Sequence, residues 1–315
     1  MKVWAAFVAA GALAVAPWAV GQKPVTAPAQ PAPQSDEPTR IVVDVTQVDF
    51  LFTVKDKKAR FVTDLTKDDF EVIEKKRPQK ILAFAAESDL PLRLAVLIDT
   101  SGSVRERFRF EQEAASEFIN TVMHPKVDKA MVVSFDTEAE LRSELVGDPE
   151  AANTAIRNLR SGGGTAMYDA IYFACRDKLS LDQPMHKFRR AMVIVSDGDD
   201  NYSRYSRDQA LERAQKDQVV IYTISTNISR QGTDGDKVLK YFAEETGGRA
   251  FFPFKVEDME QSFVEIANEL RHQYNLSYRP EPLVTDGLFH PVELRVKGRK
   301  DLLVLVSPGY YAPKM

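Results

Sequence analysis

The sequence predicts an α/β protein: a doubly wound, mostly parallel sheet that is inserted in, or flanked by, a small antiparallel β-sandwich. Two observations lead to this fold class. Between residues 91 and 272, short apolar segments alternate with amphipathic segments of helical period, which is typical of a parallel sheet covered by helices on both faces. On either side of this region, segments of alternating apolar and polar residues follow one another without intervening helices, which indicates antiparallel strands.

The central region contains five apolar strands and five amphipathic helices. Its most apolar strand, residues 94–98, contains no polar side chain, as expected for a strand that is buried on both faces. The other elements are assigned from the same change of period. We predict strands at 94–98, 130–135, 190–195, 219–225 and 249–252, and helices at 105–123, 165–178, 207–216, 236–246 and 256–272.

The flanking segments contain only strands. Three isolated strands at the end of a chain leave one face uncovered and are marginally stable alone. We therefore expect the two groups to pair in one sandwich, with two separate β units as the alternative. The predicted strands are 41–54, 60–62, 70–74 and 79–85 in a first β segment (41–90), and 274–278, 292–296 and 302–306 in a second (273–315), with the central domain at 91–272.

The first 40 residues have the composition of an export signal and a linker. Lys2 precedes an apolar segment that ends in small residues near Gly21, so residues 1–21 are predicted to be a cleaved signal peptide, with an uncleaved anchor as the alternative. Residues 22–40 are rich in Pro and Ala and predict a semi-extended linker. We expect an exported protein, periplasmic or extracellular, without a transmembrane span in its mature chain.

Three loops next to predicted strands and helices carry oxygen-bearing side chains. In open α/β sheets, ligands bind at the carboxyl ends of the strands, so we expect these side chains to lie together. Carboxylate and hydroxyl oxygens suit a hard divalent cation. The candidate residues are Asp99, Ser101 and Ser103 after strand 94–98, Thr165 after the glycine run 162–164, and Asp197 after strand 190–195.

This set of five side chains, in this order, resembles the metal-ion-dependent adhesion site of von Willebrand factor type A (vWA) domains, which have a Rossmann-like fold. The resemblance implies that Ser101, Ser103 and Thr165 bind the cation directly, whereas Asp99 and Asp197 act through water or as outer ligands. The favoured ion is Mg²⁺, with Mn²⁺ or Ca²⁺ as alternatives.

A second resemblance extends over the mature chain and is carried by the segments 45–52, 58–70, 245–252 and 274–278. These segments resemble the VWFA-related Acidobacterial domain family, which comprises exported bacterial proteins whose individual partners are mostly unassigned. This resemblance implies the same fold and export, and it leaves the biological role open.

Each candidate residue also has a purely structural interpretation. The two serines and the threonine can cap helices, since hydroxyl side chains are preferred there, and Asp197 can be a turn residue. Asp136 and Asp199 are weaker candidates that would support the site without binding the ion directly. The alternatives for these two are a turn and a solvated position.

The chemistry of the site predicts a binding module and not an enzyme. Neutral hydroxyl ligands leave a divalent cation electrophilic, and Mg²⁺ retains several waters. A Glu or Asp carboxylate of a protein partner can then take an open coordination position. We therefore expect an adhesion or interaction function that depends on a divalent cation.

Other function classes fit less well. A haloacid-dehalogenase-type phosphohydrolase, the enzyme alternative, needs a second carboxylate two residues after Asp99 as acid and base, and Ser101 stands there. A vWA assembly factor for an envelope complex is the other alternative. The net charge of −4 gives no reason to expect nucleic-acid binding. The single cysteine, Cys175, lies in an amphipathic helix pattern and is expected to be buried.

Overall fold

The computed structural model describes residues 47–86, 90–104, 107–227 and 231–314. The predicted signal peptide, the linker and the start of the 41–54 strand lie outside these ranges. The first β segment contains β1 (Val48–Lys55), β2 (Phe70–Glu74), β3 (Arg77–Gln79) and β4 (Ile81–Ala85). The central region contains β5 (Leu92–Asp99), α1 (Phe108–Val122), β6 (Lys129–Phe135), β7 (Ala139–Val146), α2 (Pro149–Arg157), α3 (Met167–Asp177), β8 (Arg189–Ser196), α4 (Arg207–Lys216), β9 (Val219–Ser225), α5 (Asp234–Thr246), β10 (Ala250–Phe251) and α6 (Val256–Arg271). The second β segment contains β11 (Tyr274–Tyr278), β12 (Phe289–Val296), β13 (Leu303–Leu305) and β14 (Gly309–Tyr311). None of the helices in these ranges combines the length and the apolar character needed to cross a bilayer.

The central sheet has the strand order β10-β9-β8-β5-β6-β7. All its neighbours are parallel except β6 and β7, which are antiparallel. Side chains of β5 alternate between two cores: Leu94 and Val96 pack with α1, α2 and α6, whereas Ala95 and Leu97 pack with α3, α4 and α5. The predicted doubly wound, mostly parallel sheet is thereby confirmed.

Two four-stranded antiparallel sheets are formed by strands from both ends of the chain. Their orders are β13-β1-β11-β4 and β14-β12-β2-β3. Residues of both sheets share one apolar core. At its centre, the ring of Phe52 meets that of Phe70 edge to face at 5.2 Å and stacks on that of Tyr274 at 5.4 Å. The central region therefore begins after β4 and ends before β11 of the same sheet.

Several elements differ from the sequence predictions. Residues 60–62 are not a strand; they make one isolated bridge, between Lys55 and Phe61, because a turn capped by Asp56 occupies the preceding residues. The edge strands β3 and β7, the helix α2 and the short β14 were not predicted. The single strand predicted at 79–85 is divided between the end of β3 and β4, which lie in different sheets. Helix α2 had a usable signal, since Asp148 caps it and Pro149 stands at its first turn, where proline is favoured.

Candidate metal site

Asp99 is fixed at the carboxyl end of the central strand β5. The parallel pairing of β5 with β8 brings it next to Ser196, whose Oγ donates a hydrogen bond of 2.6 Å to Asp99 Oδ2. The backbone N–H of Ser101 donates to Asp99 Oδ1 at 2.8 Å. Both oxygens of a fully buried carboxylate therefore accept hydrogen bonds and are held in one orientation.

The two serines connect Asp99 to the loop after β8. The Oγ atoms of Ser101 and Ser103 are hydrogen-bonded at 2.9 Å, and Ser103 Oγ donates to Asp197 Oδ2 at 2.7 Å. Ser101 is buried, whereas Ser103 is exposed. The structure thus brings four of the five predicted side chains into one group, which opens to solvent at Ser103.

The glycine loop that precedes Thr165 lies against the first loop of the site. The N–H of Gly162 donates to the carbonyl of Thr100 at 2.6 Å, and the N–H of Gly102 donates to the carbonyl of Gly163 at 3.3 Å. These backbone bonds join the loop after β5 to the loop that ends at Thr165.

Thr165 is also joined to the third loop, the one after β8. Its backbone N–H donates to Asn201 Oδ1 at 2.9 Å, and its carbonyl accepts from the N–H groups of Asn201 and Tyr202, each at 3.0 Å. A Cβ at Gly164 would lie 2.2 Å from the Tyr202 ring, so only glycine permits this approach. Buried Thr165 therefore sits where the three predicted loops meet.

The group is short of positive charge. Burial raises the pKa of Asp99 to about 6, and the charge of Asp197 acts in the same direction, while the hydrogen bonds from Ser196 and Ser101 oppose this shift. Within the described ranges, no three acidic, histidine or cysteine side chains are arranged to hold a metal ion by themselves. A cation here would depend on the hydroxyls, and an all-oxygen donor set with excess negative charge fits a hard divalent cation.

The two weaker candidates lie at the edge of this group. Asp136 borders the glycine loop, since a Cβ at Gly163 would lie 3.1 Å from its Cβ, and its carboxylate accepts from the N–H of Glu138 as in a turn. Asp199 is exposed, and its N–H donates to Asp197 Oδ1 at 3.1 Å. Partial burial and neighbouring carboxylates, that of Asp197 first among them, raise the pKa of Asp199.

Three further residues were missed by the sequence interpretation. Ser196 and Asn201 orient Asp99 and Thr165 as described above. Ser196 had a signal, because it ends an apolar strand directly before Asp197. The third is Glu111, a buried acid on the inner face of α1; its signal is one acidic residue within an apolar helical stripe.

Comparisons with known proteins agree with this fold. The family model of the von Willebrand factor type A domain matches residues 94–269, and no curated protein matches the chain. A von Willebrand factor type A structure from Catenulispora acidiphila is 15% identical with a TM-score of 0.51, over 78% of this chain and 73% of that one.

A second similar structure is proximal thread matrix protein 1 of the mussel byssus. It is 14% identical with a TM-score of 0.51, over 63% of this chain and 51% of that one, so this chain spans about half its length. A structure of the same protein "with zinc occupied MIDAS motif" has 15% identity and a TM-score of 0.50, over 62% of this chain and 49% of that one. At these identities the likeness shows the fold alone. Because the family model covers more than half of its residues, this chain belongs to the von Willebrand factor type A domain family.

Proposed function

We propose that this protein binds a divalent cation at its metal-ion-dependent adhesion site and uses the ion to capture an acidic side chain of a protein partner. The observation that carries the proposal is the hydrogen-bonded series of oxygens from Asp99 through Ser101 and Ser103 to Asp197. vWA domains typically serve as adhesion or interaction modules, and the family match supports the same role here.

The ligands explain why the ion would bind a carboxylate from outside. Ser101, Ser103 and Thr165 would hold the ion through neutral hydroxyls, with Asp99 and Asp197 acting through water. Such a site leaves most of the ion's charge uncompensated, so a partner's Glu or Asp completes the coordination. Mg²⁺ is the favoured ion, and the zinc-occupied motif of the mussel protein is a reason to test other divalent ions.

The surroundings of the site support a protein partner over a small molecule. Two large aromatic side chains near the site loops are more than half exposed: Phe110 at the start of α1, and Tyr202 against the glycine loop. Exposed aromatic residues are enriched at protein interfaces. We expect the partner's acidic residue to be flanked by apolar side chains that cover these rings.

The last helix joins the vWA domain to the β-sandwich. Glu269 of α6 pairs with Lys55 of β1, with Nζ and Oε1 2.7 Å apart, and the chain passes from α6 directly into β11. We propose that partner binding shifts α6 and, through it, the sandwich. Hydrogen exchange over residues 256–278 should therefore change when cation and acidic peptide are both added; unchanged protection would contradict this coupling.

We further propose that the protein acts outside the cytoplasm, in the periplasm or beyond. The support is the predicted signal peptide at 1–21, which lies outside the described residues. Mass spectrometry of the protein recovered from an envelope fraction should find the mature chain beginning near residue 22. Recovery of the intact chain from the cytoplasm would contradict export.

Titration calorimetry with Mg²⁺ and Mn²⁺ tests the cation site. Wild type and Asp208→Ala, which changes an exposed carboxylate on α4, should bind equally, whereas Asp99→Ala and Ser103→Ala should lose most of their affinity. Ser103 is exposed, so its loss should leave the fold intact. Equal binding by all four proteins would overturn the assignment.

The capture step is tested with peptides that contain Glu or Asp and matched peptides that contain Gln or Asn. Binding should require both the carboxylate and the cation, and a chelator should abolish it. Binding of both peptide sets with equal affinity in the presence of a chelator would contradict the proposal.

A further inference from the structure

Glu111 is a buried acid that no contact in the structure explains. It lies on the inner face of α1, three residues after Phe108 and four before Ala115, both of which pack in the core. Its side chain is fully buried. Neither carboxylate oxygen has a hydrogen-bond partner among the residues that the structure describes.

Other buried carboxylates of the chain have partners. Asp99 accepts from Ser196 and from the backbone of Ser101, and Glu269 pairs with Lys55. Burying an ionised carboxylate without a partner is costly, so almost all buried polar groups are hydrogen-bonded. A buried exception of this kind needs an explanation, and a bound ion with its waters is one that suits a carboxylate.

Two of the three charges that act on Glu111 belong to the proposed metal site. Burial raises the pKa of Glu111 to about 8, the charges of Asp99 and Asp197 act in the same direction, and Arg107 opposes them. The guanidinium of Arg107 also donates to the carbonyl of Thr226 at 2.9 Å, so it is shared with the backbone after β9. In the cation-free protein, burial and the two aspartates of the proposed site therefore disfavour a negative charge on Glu111.

We propose that Glu111 is a third carboxylate of the metal site, a positioning residue whose charge is balanced only when the cation is bound. This inference rests on the proposed function. In this proposal Glu111 does not bind the ion directly, because Ser101, Ser103 and Thr165 are the proposed direct ligands. It acts through its charge and as an acceptor for water bound to the ion, since Mg²⁺ retains several waters.

This role predicts opposite effects on two measurable properties. Without the cation, the buried and unpaired carboxyl lowers the free energy of unfolding, so the neutral Glu111→Gln variant should be at least as stable as wild type. The same variant should bind Mg²⁺ about tenfold or more weakly, because removal of a group that orients metal ligands without binding the metal typically lowers metal affinity by that amount. A purely structural glutamate would not combine the two effects.

The experiment measures urea unfolding in a chelator and Mg²⁺ affinity by calorimetry for wild type, Glu111→Gln and Glu111→Met. The methionine variant fills a similar volume without a carboxyl and provides the test if the amide does not fold. Glu269→Gln is the matched control, since it removes the charge of an equally buried but paired glutamate. We expect it to lose stability in the chelator and to keep its Mg²⁺ affinity.

The results separate this inference from the proposed function. Weaker Mg²⁺ binding by both Glu111 variants, with undiminished stability in the chelator, supports the inference. Wild-type affinity in these variants, or a loss of stability in the chelator that matches Glu269→Gln, overturns it and leaves the metal site standing. If wild type itself binds no divalent cation, the proposed function and this inference are both wrong.

Discussion

The buried ion pair between Lys55 and Glu269 joins the β-sandwich to the last helix of the vWA domain, and breaking it should be costly. Lys55 Nζ and Glu269 Oε1 are 2.7 Å apart, and the side chains are only 6% and 1% exposed. Arg249 Nε lies 2.8 Å from the same oxygen but has no hydrogen-bond geometry there. Lys55 is therefore the main partner of Glu269.

The expected magnitude follows from this burial. Glu269→Gln keeps the volume of the side chain but leaves the Lys55 ammonium buried without a counter-charge, which should lower the free energy of unfolding by about 3 kcal/mol, the lower end for a broken buried pair. Lys55→Met should cost less, because Arg249 remains beside Glu269. The two losses should not add, since residues in contact couple by about 0.5–3 kcal/mol.

The assay is urea unfolding of the two single variants and the double variant, with equal m-values as the check that unfolding remains cooperative. Glu113→Gln on α1 is the control, because Glu113 pairs with Arg109 at 3.1 Å while 61% exposed, and such pairs contribute about 0–1 kcal/mol. If Glu269→Gln is as stable as Glu113→Gln, or if the losses of Glu269→Gln and Lys55→Met simply add in the double variant, this ion pair does not join the β-sandwich to the vWA domain.

Three further predictions concern the site and the core. Gly198→Ala should lower the free energy of unfolding by at least about 2 kcal/mol, because Gly198 has φ +83° and a Cβ would lie 2.2 Å from the Gly235 carbonyl oxygen. Gly298→Ala, at φ +69° in open space, should lower it less in the same urea assay. Equal losses in the two variants would refute the steric argument. For Asp99, the pKa raised from 3.8 to about 6 means that the folded, cation-free protein retains a proton that the unfolded chain releases, so stability should fall as the pH rises from 4 to 6. Asp99→Asn should remove that part of the fall, and an unchanged pH profile would contradict the shift. Burial also raises the pKa of the Cys175 thiol, so a thiol reagent should label it only after unfolding, and rapid labelling of the native protein would count against that environment.

Where the predicted bounds of a strand agree with the structure, polar residues in the sequence mark both of its ends. The strand 219–225 is apolar and β-branched between polar residues, and the structure has it at Val219–Ser225. In contrast, β7 carries Glu140, Arg142 and Glu144 on the exposed side of an edge strand. An edge strand with one polar face has no apolar run, and its signal, the alternation of these charged residues with Leu141 and Leu145, was not recognised.

The pattern gives the strands but not their partners. In the pairing of β1 with β11, Val48 lies opposite Tyr278. These residues are more than two hundred positions apart in the sequence, so no local pattern could predict their register. The site shows the same limit. Asp99, Ser101, Ser103 and Asp197 follow strand ends, so the sequence alone makes them candidates that lie close together. The unpaired state of Glu111 depends on the tertiary packing around α1, which no local pattern shows.

The most direct test of the account is anomalous X-ray diffraction from crystals of the protein soaked in Mn²⁺. We predict one ion, with the hydroxyl oxygens of Ser101, Ser103 and Thr165 at about 2.1 Å and Asp99 and Asp197 one water away. An ion bound elsewhere, or a Thr165 side chain turned away from Ser101 in the Mn²⁺-soaked crystal, would contradict the claim that three loops of this vWA domain hold one cation.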